Sequence, residues 1–104
     1  MKLSRVFVSR AKSDAQKQLA RVLRSRSEPH GKPIIDPSIL KGVEVNDDGI
    51  VELWIRPAHP YCPCCLNDLI DLRKVVRGQK DVLACHVEVV GIPQSERWTA
   101  AVNE

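Results

Sequence analysis

The spacing of apolar residues predicts a helix in the first third of the chain. Four apolar residues recur at intervals of three and four positions, as they do along one face of an α-helix: Ala15, Leu19, Val22 and Leu23. Ser13, followed by Gln16 three positions later, has the pattern of a capping box, and Pro29 follows as a helix terminator. We therefore expect a helix over residues 13–27.

The middle of the chain has the pattern of a β-hairpin. Residues 40–45 and 50–55 flank Asn46-Asp47-Asp48-Gly49, a turn sequence whose glycine can adopt positive φ. In the second segment polar and apolar side chains alternate, which predicts a strand with one buried face. The residues expected on that face are Val51, Leu53 and Ile55.

A second helix and a third strand are predicted next. Pro63 suits the first position of a helix that ends before Gly78. The apolar face of this helix comprises Leu66, Leu69, Ile70 and Val76. Residues 81–90 alternate again, so that four side chains are expected to face the core: Leu83, Cys85, Val87 and Val89.

These elements predict an α+β fold. The order α-β-β-α-β gives a two-layer domain in which a small mixed three-stranded sheet is covered on one face by two helices. We divide the chain into a basic N-terminal extension (residues 1–12), this domain (13–92) and a C-terminal tail (93–104). Trp98 lies in the tail, so we expect it outside regular structure, where its ring either folds over the Cys62 loop or binds a partner.

Composition and charge exclude several classes of protein. The chain has 104 residues, 43% of them hydrophobic, which is enough for one modest core. No apolar run approaches the roughly 18 residues of a membrane span, and the N-terminal residues lack the apolar core of a signal peptide, so we expect a cytoplasmic protein. Residues 1–33 carry nine Lys or Arg and two acidic residues, but Phe7 is their only aromatic residue, which argues against binding to nucleic acid.

The candidate chemistry lies in a cluster of cysteines: Cys62, Cys64 and Cys65. Free backbone N–H groups and the helix dipole at this loop–helix junction favour a thiolate, the form that binds metals. Cys62 is the best placed of the three, and Cys65 lies three residues further on and can reach the same point. His59, in the preceding loop, is a further candidate ligand. Cys85, by contrast, is expected to pack in the core.

Several sequence motifs follow one another in an order that resembles a known family. They are Glu28-Pro29-His30-Gly31-Lys32-Pro33-Ile34-Ile35, Leu40-Lys41-Gly42-Val43-Glu44-Val45, the turn at residues 46–49, and Pro60-Tyr61-Cys62-Pro63. Together they resemble the small iron–sulfur cluster assembly domain of PaaD-type proteins, which is also found ahead of the P-loop in ApbC/Mrp carrier ATPases. The similarity covers residues 13–104 and includes the family's Trp-containing C-terminal segment. Cys64 and Cys65 are additional to the family's pattern.

The resemblance implies a protein that is not itself an enzyme and that binds or transfers an iron–sulfur cluster through Cys62. Its partners would be apo iron–sulfur proteins or other assembly factors, and Trp98 would lie on the partner-binding face. A homodimer is a further alternative. Three clustered thiols leave a cluster short of one ligand, so we expect transient binding. No Walker-type phosphate loop is present, and we expect no nucleotide cofactor.

Two other functions fit the same cysteines. A thiol–disulfide oxidoreductase would use Cys62 and Cys65 as the C-x-x-C pair at a helix start. A small zinc-binding protein would take its ligands from Cys62, from Cys64 or Cys65, and from His59. The metal would then be zinc in place of an iron–sulfur cluster.

Overall fold

The computed structural model describes residues 2–59 and 61–104, with side chains from residue 12 onward. It contains three helices and three strands, in the order α1 (Lys2–Arg24), β1 (Leu40–Val45), β2 (Ile50–Ile55), α2 (Pro63–Arg77), β3 (Ala84–Val89) and α3 (Ser95–Val102). The predicted α+β class is confirmed, with one helix more than expected. Among the helices in this part of the chain, none is long and apolar enough to cross a membrane.

The sheet has the order β1-β2-β3. Strands β1 and β2 are antiparallel and form the predicted hairpin, whose bounds agree with those expected. Its turn is closed by Asn46 Oδ1, which accepts the N–H groups of Asp48 and Ile50 at 2.9 Å each. Gly49 has φ +87°, the conformation for which a glycine was expected here. Strand β3 returns through α2 and pairs parallel to β2, as the crossover predicted.

One face of the sheet packs against the helices and forms the core. The buried residues of β2 and β3 are Val51, Leu53, Ile55, Cys85, Val87 and Val89. They share the core with α2, whose buried residues are Cys65, Leu69, Leu72 and Val76. The opposite face carries half-buried side chains, including Glu52, Trp54, His86 and Glu88. The prediction of a sheet covered on one face is therefore confirmed.

Two details of the predicted core are wrong. Leu83 is 68% exposed, because β3 begins at Ala84 rather than at residue 81 and its alternation of buried and exposed residues does not include Leu83. Val82 is buried instead. In α2 the fully buried Leu72 replaces Leu66 and Ile70, which are only partly buried at the edge of the core.

Helix α1 begins eleven residues before the predicted start at Ser13 and ends at Arg24. Residues 2–24 contain neither glycine nor proline, so nothing in the backbone stops the helix at Ser13. The capping-box pattern was therefore misleading, because Ser13 lies inside a helix. The predicted apolar face is confirmed, since Ala15, Leu19, Val22 and Leu23 are all buried.

The C-terminal segment forms a helix, which corrects the expectation for Trp98. Trp98 lies in α3 and is 8% exposed, and Val102, one turn later, is 2% exposed. Helix α3 also satisfies the backbone of the edge strand β3. Thr99 Oγ1 accepts a hydrogen bond from the N–H of Val89 at 2.9 Å. The side-chain amide of Asn103 accepts a hydrogen bond from the N–H of Val87 at 2.9 Å through Oδ1 and donates one to the Val87 carbonyl at 2.7 Å through Nδ2. The apolar pair at i and i+4 was the signal for this helix.

We expect Trp98→Ala to lower the free energy of unfolding by about 3 to 5 kcal/mol, the usual cost of truncating a buried large aromatic side chain. Urea denaturation followed by circular dichroism measures this. The matched control is Tyr61→Ala, because Tyr61 is 79% exposed and its loss should change stability by less than about 0.5 kcal/mol. Equal effects of the two substitutions would contradict the placement of Trp98 in the core.

Candidate functional site

Helix α2 begins next to Cys62, as the sequence pattern predicted. Cys62 is the N-cap residue, with φ −103° and ψ 114°, and Pro63 opens the helix. The Cys62 carbonyl accepts the first helical N–H from Cys65 at 3.1 Å, while the Cys62 N–H donates to the His59 carbonyl at 3.2 Å. The Cys62 side chain therefore lies beside the positive end of the helix dipole, which stabilises a thiolate there when the residue is reduced.

The three clustered cysteines are in two chemical states. Cys62 and Cys64 are joined by a disulfide, with their Cα atoms 5.4 Å apart. Cys65 is a free, buried thiol. The disulfide thus joins Cys62 to Cys64 rather than to Cys65, the partner that the C-x-x-C interpretation used. Cys64 lies on the exposed side of the first turn, within reach of reductants and of other thiols.

The two remaining free thiols are shielded from solvent. Burial raises the pKa of Cys65, and the nearby carboxylates of Glu28 and Asp68 raise it further. Burial likewise raises the pKa of Cys85, to about 11, and only part of this is offset by Arg73 and Arg77. Both residues are therefore thiols at neutral pH. Cys85 is 3% exposed and packs in the core, as expected.

A histidine that the sequence had not singled out completes the thiol cluster. The Nε2 atom of His30 lies 3.5 Å from Cys62 Sγ and 3.8 Å from Cys64 Sγ. Ligand atoms of His30, Cys62, Cys64 and Cys65 all lie within 4.8 Å of one another. We call these four residues the thiol set. His30 is 32 residues from Cys62 along the chain, and the only signal for it was its place in the first of the resembling motifs.

His59 lies against His30 rather than inside the thiol set. The two imidazole rings have centroids 3.8 Å apart and are tilted by 48°. One carboxylate oxygen of Glu28 lies within 4.8 Å of both histidines. Of the predicted site residues, the structure thus gathers the three cysteines, places His59 next to them, and puts Trp98 in the core.

A short loop holds His30 in position. Ser27 and Pro33 form an antiparallel bridge, and we call residues 27–33 the His30 loop. Glu28 closes it, because its N–H donates to the Lys32 carbonyl at 2.7 Å and its Oε1 accepts the Lys32 N–H at 2.8 Å. Gly31, at the tip, has φ +99°, which favours glycine. The loop is therefore a closed hairpin that presents His30 on its outer side.

Arg26, just before the loop, fastens it to α2. Its Nη2 atom donates to Asp68 Oδ1 at 3.0 Å and to Asp71 Oδ2 at 2.8 Å, and it also lies 3.3 Å from the Asp68 carbonyl. The side chains of Arg26 and Asp68 are 19% and 17% exposed, so solvent screens this pair only in part. The pairing brings the His30 loop to the first turns of α2, where the cysteines are.

The thiol set has the donors of a soft metal site. With Cys62 and Cys64 reduced, the set offers three sulfur atoms and one imidazole nitrogen, a combination found in structural zinc sites, and thiolates are also the usual ligands of iron–sulfur clusters. In the disulfide form two of these donors are lost. Binding of a metal through this set therefore depends on prior reduction.

We expect iodoacetamide at about pH 8 to label none of the four cysteines in the native oxidised protein, because only thiolates react and Cys65 and Cys85 are buried thiols. After reduction, Cys62 and Cys64 should each take one label. Mass spectrometry of proteolytic fragments locates the labels, and unfolding in urea should expose the other two cysteines. Labelling of Cys65 in the native oxidised protein would contradict the structure.

We expect Arg26→Ala to lower the free energy of unfolding by about 2 kcal/mol, because Asp68 loses its charged partner. The amide hydrogens of Lys32 and Ile34, which the His30 loop protects, should also exchange faster with solvent. The matched control is Arg24→Ala, which removes an exposed arginine of α1. Unchanged exchange in the Arg26 variant would show that the loop does not depend on this residue.

Comparison with known proteins gives one similar sequence and one similar structure. No model of a known protein family matches it. The fold is similar to the crystal structure of a domain of unknown function, DUF59, from Bacillus anthracis, with a TM-score of 0.63, 19% sequence identity, and coverage of 84% of this chain and 85% of that one. In sequence, the chain is 30% identical over 70 residues, 66% of its length, to "Uncharacterized protein MJ1129" of Methanocaldococcus jannaschii, and the match covers 74% of that protein. The chain therefore belongs to the same family as this archaeal protein.

Proposed function

We propose that the protein is an assembly or carrier factor that binds an iron–sulfur cluster, or the iron for one, through Cys62 and the rest of the thiol set. One observation carries the proposal: four soft donors from two distant parts of the chain converge within 4.8 Å at the N-terminus of α2. Such convergence is not required by packing, because Cys64 and His30 are exposed and contribute nothing to the core.

The chemistry of the donors supports transient rather than permanent binding. Cys64 is exposed and Cys62 is half-buried beside it, so a cluster can be passed to another protein by exchange of ligands. Cys65 is buried with a raised pKa, so its deprotonation on binding a metal opposes tight retention. The natural recipients of such cargo are apo iron–sulfur proteins, or other factors in the same assembly process.

Two similarities support the same function. The motifs around residues 28–35, 40–49 and 60–63 resemble those of PaaD-type cluster assembly proteins. The fold is that of a DUF59 domain, the domain family to which the PaaD-type proteins belong. At 19% identity this second similarity supports the fold alone, and the cysteines of this chain carry the chemical argument.

The disulfide adds a condition to this function. Before the thiol set can bind a metal, a dithiol or low-molecular-weight thiol must reduce the Cys62–Cys64 bond. The reductant supplies two electrons and two protons, becomes a disulfide itself, and leaves two thiols on the protein. Loading would therefore take place in a reducing compartment, and oxidation would release the metal.

The Cys62–Cys64 disulfide also favours a second candidate function, thiol–disulfide exchange. In that case a thiol reductant would first convert the pair to the dithiol. One of the two thiolates would then attack a substrate disulfide, and the other would resolve the mixed disulfide, which re-forms the Cys62–Cys64 bond and leaves the substrate with two thiols. An insulin-reduction assay distinguishes this enzyme from a carrier, because a carrier has no turnover in it.

The direct test is anaerobic reconstitution of the reduced protein with iron and sulfide. We expect absorbance between about 320 and 450 nm from thiolate-bound cluster iron, with iron and sulfide recovered in equal amounts. Cys62→Ser should lose this absorbance. Cys85→Ala should keep it, because Cys85 is a core residue outside the thiol set.

Each alternative gives a different result in the same preparation. Tightly bound zinc, found by elemental analysis, with no cluster formed would favour the small zinc-binding protein. Insulin reduction that Cys62→Ser abolishes would favour the oxidoreductase. Absence of absorbance from the reconstituted wild-type protein would rule out cluster binding by this chain alone.

A further inference from the structure

We propose that Glu28, His30 and His59 form a second metal site, built from oxygen and nitrogen donors, that takes a divalent transition-metal ion whether or not the cysteines are oxidised. A ligand atom from each of the three residues lies within 4.8 Å of the other two. We call these residues the imidazole–carboxylate set. It goes beyond the proposed function, because it uses none of the thiols.

The strongest support comes from Glu28, which is 7% exposed. Its Oε1 accepts the Lys32 N–H, but its Oε2 is buried and has no hydrogen-bond partner among the residues that the structure describes. A buried carboxylate without compensation is costly, and such groups are normally paired or bound to a metal. A cation bound by this carboxylate beside the two histidines would compensate its buried charge.

The histidines supply the nitrogen donors. Both His30 and His59 are exposed, and their rings lie against each other with centroids 3.8 Å apart. Two imidazoles and one carboxylate are the protein ligands of several catalytic zinc sites and of non-haem iron(II) sites. Ligand atoms of a tetrahedral site at about 2.1 Å from the metal lie about 3.4 Å apart, so small side-chain rotations bring this set onto one ion.

The surrounding backbone holds the three ligands in place. Glu28 and His30 lie on the closed His30 loop, which Gly31 and two Glu28–Lys32 hydrogen bonds define. The carbonyl of His59 accepts the N–H of Cys62, so this histidine is tied to the start of α2. A ligand set on constrained backbone needs little reorganisation to bind an ion.

His30 belongs to both sets, which couples the two sites. Its Nε2 faces the sulfur atoms of Cys62 and Cys64, and the same ring lies against His59 at a tilt of 48°. With the disulfide formed, only the imidazole–carboxylate set has all its donors free. The molecule thus has a harder donor set next to a soft one, an arrangement that suits acceptance of a ferrous ion before its transfer to thiolates.

A second cluster of similar composition provides the matched control. Glu52, His86 and Glu88 also place ligand atoms within 4.8 Å of one another, on the open face of the sheet. There His86 Nε2 already pairs with Glu88 Oε1 at 3.2 Å, and both side chains are more than 40% exposed. No buried oxygen lacks a partner in this cluster, among the residues described, so it gives no reason to expect a bound ion.

The test uses a full-length variant without thiols in the site, Cys62→Ala/Cys64→Ala/Cys65→Ala. Titration with Co²⁺, followed by visible spectroscopy and calorimetry, should show one bound ion with the d–d bands of nitrogen and oxygen ligands and without sulfur charge-transfer bands. Added to this variant, His59→Asn and Glu28→Gln should each weaken Co²⁺ binding by about tenfold or more. Adding His86→Asn should leave it unchanged.

Two outcomes would overturn the proposal: absence of Co²⁺ binding by the thiol-free variant, or binding that His86→Asn weakens and His59→Asn does not. Gln at position 28 can still accept the Lys32 N–H, so the loop should survive. If that variant nevertheless unfolds, His59→Asn decides, because His59 is exposed. The thiol-free variant cannot bind an iron–sulfur cluster through the thiol set, so absence of Co²⁺ binding to it would not contradict the proposed function. Conversely, failure of cluster reconstitution in the wild-type protein would not contradict the imidazole–carboxylate site.

Discussion

The candidate site depends on one ion-paired residue, Arg26, which joins two parts of the chain that are more than forty residues apart. Its guanidinium lies between Asp68 and Asp71 of α2 and also contacts a backbone carbonyl there. Since the His30 loop begins at the next residue, this contact determines where His30 and Glu28 lie relative to the cysteines. All of these contacts are made by one guanidinium nitrogen, Nη2, and those to the carboxylates are charge-assisted hydrogen bonds.

The candidate site residues lie at one end of the fold, and most of the core residues lie elsewhere. The N-terminus of α2 carries the exposed Cys64 and the half-buried Cys62, while the same helix buries Leu69, Leu72 and Val76 against the sheet. At the far edge of the sheet, α3 covers β3 with Trp98 and bonds its free backbone groups through side chains. Stability thus comes largely from residues outside the site, which leaves the site residues free to serve chemistry.

Sulfur donors and nitrogen or oxygen donors lie together at that end of the molecule, and oxidation removes only sulfur donors. In the proposed function the thiol set has all its donors only after reduction of the Cys62–Cys64 bond, whereas Glu28, His30 and His59 keep their donors in either state. His30 is the one residue that the two proposed sets share. The buried carboxylate of Glu28 favours a positive ion in this region.

The sequence by itself determined the elements whose signals are local. The hairpin of β1 and β2 follows from its turn residues, the start of α2 from Pro63, and the core face of α1 from the spacing of its apolar residues. The sequence also showed the cysteine cluster, because its members are neighbours in the chain. Tertiary structure alone decided the pairing of Cys62 with Cys64, the burial of Trp98, and the arrival of His30 beside the thiols. The pairing of Cys62 with Cys64 depends on the geometry of the first turn of α2. The burial of Trp98 and the position of His30 depend on long-range packing, and periodicity along a chain carries no information about which distant segments meet in space.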